Sequence, residues 1–260
     1  MEIDKKIVSE ATVLAKDVYQ DVAKPALSEV GKTAGGLTRV LLAPLNGIVW
    51  GFDKIIEKLD QEVSAKLSKV PRERYQTPPA FIAGPAVEAL RYTAEVEDIR
   101  NLYNNLIANA MDSDTVANVH PSFVDIIKNI NSDEANLLKA FIMDDSIAYI
   151  EIRRFNTPVV RSFSTIDKYH THIVEDFNLK LQNQCKLHTY LDNLTRIGLI
   201  STTEGYSLDD DRYISLENCE NVIKLKKEAE GEGARVDFRR SFFRLTSFGS
   251  DFIRMVVSDK

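Results

Sequence analysis

The sequence predicts a mainly α protein: an α-rich α+β chain with a helical bundle region over residues 1–118 and a mixed domain over residues 119–260. Three observations lead there. Apolar residues recur at spacings of three and four through most of the first half, the period of helices buried along one stripe. Strand-forming residues then gather at Ile147–Phe155 and Val159–Phe163. Finally, the apolar run Phe242–Val256 reads as a strand turning into a helix.

Taken in order, Ile3, Ile7, Ala11, Leu14, Val18 and Val22 mark a first amphipathic helix. Lys24-Pro25 breaks it, because the residue before proline avoids the helical region. Gly31, Gly35 and Gly36 loosen the next segment. Leu41, Leu45, Ile48, Phe52, Ile55, Leu59, Val63 and Leu67 then lie on one stripe of a helix that should end near Val70, before Pro71. Pro44 fits its first turn. Residues 71–85 hold four of the eight prolines, which predicts an extended crossover.

Pro85 should open a single long helix with the apolar face Tyr92, Val96, Ile99, Tyr103, Leu106 and Ala110. Glu95 and Asp98 would share its opposite, solvated face with Arg91. His120-Pro121 starts a short helix containing Phe123, Ile126, Ile127 and Ile130, with His120 capping or packing locally. Ser132 reads as the N-cap of the next helix, where Asp133 and Glu134 suit the positive end of the dipole. Leu137, Leu138, Phe141 and Ile142 supply its buried face. One helix, or two, spans Thr171–Arg196, and Thr203–Ser207 is a turn.

The helix ending Leu191-Asp-Asn-Leu-Thr-Arg-Ile-Gly-Leu-Ile200, followed later by Leu245-Thr-Ser-Phe-Gly249, resembles the winged-helix pattern. The helix must stop at Gly198 so that Leu199-Ile200 can turn straight into a strand. An insertion near residues 145–170 departs from that pattern. A winged helix raises nucleic-acid binding, for which Lys186, Arg235, Arg239, Arg240 and Arg244 are the candidate contacts. Against it, net charge is −6, no segment has a marked basic excess, and Asp209–Asp211, Glu228, Glu230 and Glu232 flank those arginines.

Hydrophobic content of 44% with 28% charged residues is that of a folded globular chain. Two cysteines give no disulfide framework and suit a reducing cytosol. The N-terminus lacks the pattern of a signal peptide. The longest uncharged run, Val40–Phe52, is shorter than the roughly 20 residues a spanning helix needs. A cytoplasmic location is expected, with membrane association as the variant. Within that run and just before it, Leu37, Leu41, Leu42, Leu45, Ile48, Val49, Trp50 and Phe52 cover more than one helix face. Such a surplus is buried by neighbouring helices, by a protein partner or second copy, or by lipid.

His170-Thr-His172 would point to one side of a strand, and Cys185 with His188 would share a helix face. These are permissible ligand types, yet no Cys-x-x-Cys or His-Glu-x-x-His pairing backs them, so no metal site and no cofactor is expected. Glu95 and Asp98 lack the Glu-x-x-His of a di-iron helix. No Gly-x-Ser-x-Gly, P-loop or dinucleotide fingerprint occurs, and no catalytic residue is assigned.

The stretch Gly84–Ala135, which joins the helix, His120-Pro121 and the Asn-Ser-Asp-Glu helix start, resembles the Abi-alpha (abortive infection alpha) family of bacterial proteins. The resemblance runs from about Ala26 to Val256 and implies phage defence. With no catalytic motif, the expectation is a non-enzymatic defence protein that acts by partner binding, self-association or membrane perturbation. The alternative is a winged-helix DNA-binding regulator.

Overall fold

A computed structural model describes residues 41–42, 52–156, 162–203 and 206–260. The expected helix at Ile3–Val22, the glycine-rich segment after it, and Leu37, Leu45, Ile48, Val49 and Trp50 lie outside the described residues. The contacts divide the chain into two units. Met1–Asn129 and Arg254–Lys260 form the first, and Ile130–Ile253 the second. The described elements are α-rich with one four-stranded sheet, an α+β combination.

In the first unit, α1 (Phe52–Leu67) packs with α2 (Ala80–Thr93) and α3 (Glu97–Ala110), and α4 (Ser122–Lys128) closes on α2 and α3. Of the stripe predicted for this helix, Leu59, Val63 and Leu67 are at most 1% exposed. Leu41 and Leu42 are helical and fully buried as well. Among the described residues, no helix is long and apolar enough to cross a membrane.

Two expectations fail at α2. The crossover is shorter than residues 71–85, because α2 already begins at Ala80 with Pro79 as its N-cap. Pro85 therefore sits inside the helix. It forfeits one backbone hydrogen bond there, and burial of Ile82, Ala83, Ala86, Val87 and Leu90 around it compensates. The long helix is also broken into α2 and α3. Val96 adopts an extended conformation as the N-cap of α3, and Arg100 donates from Nη1 to the Ala94 carbonyl at 2.6 Å to seal the break. Glu97 and Asp98 then meet a fresh helix N-terminus. The break resets the helical phase, so Tyr92 and Val96 are exposed rather than buried, and Glu95 and Asp98 do not share a helix with Arg91.

A polar clamp completes this unit. Asn105 and Asn109, buried on α3, donate from their side-chain amides to the Val256 and Met255 carbonyls at 2.9 and 2.8 Å. Those carbonyls belong to a π-helical turn, Ile253–Val257. Asp112 is fully buried and takes a bidentate pair from Arg74, at 2.9 and 2.7 Å, and the Lys260 ammonium at 2.6 Å. Burial pushes the Asp112 carboxyl up, but these donors outweigh it and hold the group below the usual carboxylate range. Lys260 falls below its ordinary value because burial outweighs what Asp112 returns, so Arg74 is the firmer partner.

The second unit begins with α5 (Ser132–Met143). Its N-cap is Asn131, one residue earlier than expected, because Asn131 and Glu134 form a reciprocal capping box. A four-stranded antiparallel sheet follows, in the order β2-β1-β4-β3: β1 (Ser146–Phe155), β2 (Ser164–His170), β3 (Ile200–Thr202) and β4 (Arg235–Leu245). The expected strand at Val159–Phe163 falls mostly outside the described residues, and β2 itself begins at Ser164. β1 is central and pairs with β4 from Ser146↔Arg244 to Phe155↔Arg235.

Thr171–Arg196 resolves into α6 (Ile173–Asp176) and α7 (Leu187–Arg196). Between β3 and β4 lie two helices that the sequence reading did not foresee, α8 (Asp211–Glu217) and α9 (Glu220–Gly231). Tyr213, Leu216 and Val222 from these helices pack on Ile150 and Ile152 of β1. The chain leaves β4 into α10 (Ser247–Phe252).

Candidate functional site

The chemistry-bearing side chains of the second unit gather where β2 ends. His170 is its last residue and His172 is the N-cap of α6. Their rings meet edge to face, with centroids 5.8 Å apart. Cys219, at the junction of α8 and α9, brings Sγ to 3.3 Å from His170 Nε2. One ligating atom from each of the three lies within 4.8 Å of the other two, and all three side chains are half-buried. His172 also lines a cavity of about 220 Å³ with Asp176, Arg212 and Leu216.

Asp167 organises this corner. Its Oδ2 is 3.3 Å from His170 Nδ1, its Oδ1 is 3.0 Å from His188 Nε2, and the Tyr169 N–H donates to it at 3.0 Å. Burial alone would raise this carboxyl, but the His170 hydrogen bond and the His188 charge keep it below its ordinary range. In turn, the hydrogen bond to Asp167 raises His170 against the opposing effect of burial, with help from Cys219. A proton on Nδ1 shared with Asp167 leaves the Nε2 lone pair facing Cys219.

The arginines of β4 form no single patch. Alternate residues of a strand face opposite ways, so Arg235 and Arg239 lie on one face and Arg240 and Arg244 on the other. Arg240 donates from Nε and Nη2 to Glu217 at 2.7 and 3.0 Å and from Nη1 to Asp210 at 2.6 Å, with its guanidinium over the Tyr213 ring. Arg235 stacks on Phe155 and pairs loosely with Asp237. Arg239 lies opposite Glu151 in register. Arg244 is exposed and lines a groove of about 810 Å³ with Ser201, Thr203, Tyr206, Thr246 and Ser250. Lys186 is exposed at the N-terminus of α7. The loop preceding that helix is tied to α5, because Asp133 accepts from the Gln182 and Asn183 N–H groups and the Tyr190 hydroxyl.

Residues 51–256 match the family model described as abortive infection alpha. The chain belongs to the abortive infection alpha family. No curated protein compared with it matches. A solved structure of an uncharacterized protein from the marine bacterium Alcanivorax borkumensis SK2 is similar at 16% identity and a TM-score of 0.34, over 51% of this chain and 90% of that one.

In this abortive infection alpha protein, His170 and His172 do come together, but the cysteine beside them is Cys219, which the sequence does not single out, and not Cys185. Cys185 is exposed and its helical neighbour His188 turns to Asp167 instead. Cys219 reaches His170 from 49 residues away, a separation that matches no ligand-spacing motif. Of the apolar candidates, Leu41 and Leu42 are buried, Phe52 begins α1, and the others fall outside the described residues. His120 acts locally, as expected: the N-cap is Pro121, while His120 Nδ1 accepts from the Ser122 N–H at 3.1 Å and its ring lies 5.9 Å from that of Phe123.

Proposed function

We propose that this protein is an antiphage effector of the abortive-infection type that acts by binding rather than by catalysis. The observation that carries the defence role is the family match over residues 51–256. The binding surface is the segment Leu37, Leu41, Leu42, Leu45, Ile48, Val49, Trp50 and Phe52, whose apolar residues exceed one helix face. In the resting state it is covered by helices of this chain or of a second copy, a reading supported by full burial of Leu41 and Leu42. On infection it engages a protein partner in the cytoplasm or the membrane surface.

A plaque assay tests this. Cells expressing the protein should resist a phage panel, and Trp50→Asp should abolish protection with expression and helical content unchanged. Protection that survives Trp50→Asp would remove the segment from the mechanism, and a protein that protects against no phage would remove the defence reading.

The second reading is a winged-helix DNA-binding regulator. Exposed Lys186 and Arg244 favour it. The commitment of Arg240 to Glu217 and Asp210 weighs against it, as does the division of the arginines between two sheet faces.

A further inference from the structure

We propose that His170, His172 and Cys219 bind a zinc ion. The site shares no residue with the apolar segment, and the proposal is independent of the defence mechanism. Imidazole nitrogen and thiolate sulfur are the ligands zinc selects over carboxylate and water. In a tetrahedral zinc site, with Zn–N near 2.0–2.1 Å and Zn–S near 2.3 Å, neighbouring ligand atoms stand roughly 3.3–3.6 Å apart. His170 Nε2 and Cys219 Sγ are already at 3.3 Å, and the third ligand atom lies within 4.8 Å of both, so a modest turn of one ring closes the set.

The outer shell is also in place. A zinc-ligating histidine commonly gives its other ring N–H to a carboxylate, which fixes the tautomer and aims the lone pair at the metal. Asp167 occupies that position behind His170, at 3.3 Å from Nδ1. Asp167 is itself held by the Tyr169 N–H and by His188, so the ring is anchored rather than loosely placed. On binding, the Cys219 thiol proton passes to solvent and the sulfur–metal bond forms, with no change of oxidation state. Three protein ligands leave a fourth position for water. The ion would join the end of β2 and the start of α6 to the α8–α9 junction.

The test uses the full chain, purified without a histidine tag, stripped with a chelator and titrated with zinc and cobalt. Stoichiometric zinc is expected. Cobalt should give the thiolate charge-transfer band and the intense visible bands of a tetrahedral site. Zinc should raise the melting temperature, as any ligand of the folded state does, and chelator should reverse the rise. Cys219→Ser and His172→Gln should lose the cobalt spectrum and the thermal shift, whereas Cys185→Ser should keep both. Since Cys185 and Cys219 are the only cysteines, a charge-transfer band in Cys185→Ser assigns the sulfur even where Cys219→Ser does not fold. No charge-transfer band in the wild type, its loss in Cys185→Ser, or binding restricted to copper would overturn the proposal.

Discussion

A β-carbon added to Gly249 would fall 1.9 Å from the carbonyl oxygen of Leu199. The two residues come from chain segments far apart in sequence, yet the first turn of α10 rests against the exit of α7. Thr246 supports the approach from beside it. Its hydroxyl donates to the Gly198 carbonyl at 2.6 Å and accepts the Gly249 N–H at 2.9 Å, capping α10 and tying it to the turn in one gesture. Gly198 sits at φ +77° and closes α7 with two bonds, Gly198 N–H to Thr195 and Leu199 N–H to Leu194.

Gly249→Ala should therefore destabilise the second unit. The obstructing atom is backbone, which cannot rotate away, and overpacking of this kind costs about 1–3 kcal/mol. Thermal denaturation followed by circular dichroism checks it. An unchanged melting temperature would mean that α10 can move off Leu199 freely.

Leu194→Ala should cost roughly 2–5 kcal/mol, the range for fully buried leucines. Leu194 and Leu199 are both 0% exposed at the helix end. Urea unfolding of the purified variant measures the loss, and a value near zero would remove this helix end from the core.

Acid should weaken the first unit through Asp112. Its folded-state carboxyl lies below the ordinary range, so below the unfolded value of about 4 the unfolded chain takes up a proton that the folded chain refuses. The stabilisation is complete above that value and is lost as pH falls through the folded one. Asp112→Asn should cost about 1.5–3 kcal/mol at neutral pH, toward the lower end because the Arg74 side chain is one third exposed. The wild-type advantage should shrink steadily as pH is lowered. An advantage independent of pH would deny the charge a role.

Duplex DNA should bind no better than a nonspecific, salt-sensitive micromolar association. Arg240→Ala should leave that association nearly unchanged while lowering stability, since it strips Glu217 and Asp210 of their partner. A tight, sequence-dependent mobility shift abolished by Arg239→Ala/Arg240→Ala would promote the regulator reading.

Trp50 is the only tryptophan, so its fluorescence reports on the apolar segment alone. Blue-shifted emission is expected in the resting protein. Red-shifted emission that turns blue only with anionic vesicles would replace burial with lipid contact.

The legible parts of the fold were those governed by local periodicity or local turn chemistry. The α1 stripe at Leu59, Val63 and Leu67, the stop at Gly198 and the local bond from Ser122 to His120 all follow from residues within a few positions of one another. The misreadings share a cause as well. Tertiary burial let Pro85 sit inside α2, and a break at Val96, sealed by Arg100, reset a phase that the apolar pattern had carried straight through. α8 and α9 were missed because the segment is rich in charge, and their buried face is only Tyr213, Leu216 and Val222 with a few neighbours. The His170–Cys219 meeting depends on those two helices, so it could not be seen before they were.

The first unit is discontinuous: it joins Arg254–Lys260 to the stretch that ends at Asn129. During synthesis, Asn105 and Asn109 leave the ribosome well over a hundred residues before the Val256 and Met255 carbonyls they bind, at sequence separations of 151 and 146. Until Met255 and Val256 emerge, α3 must carry three buried asparagines, Asn104 among them, with two of their partners still unmade. The second unit is contiguous, and its strand β1 waits only for β4 within that same span. Vectorial synthesis thus keeps the first unit's clamp open until Met255 and Val256 have been made, after every residue of the second unit.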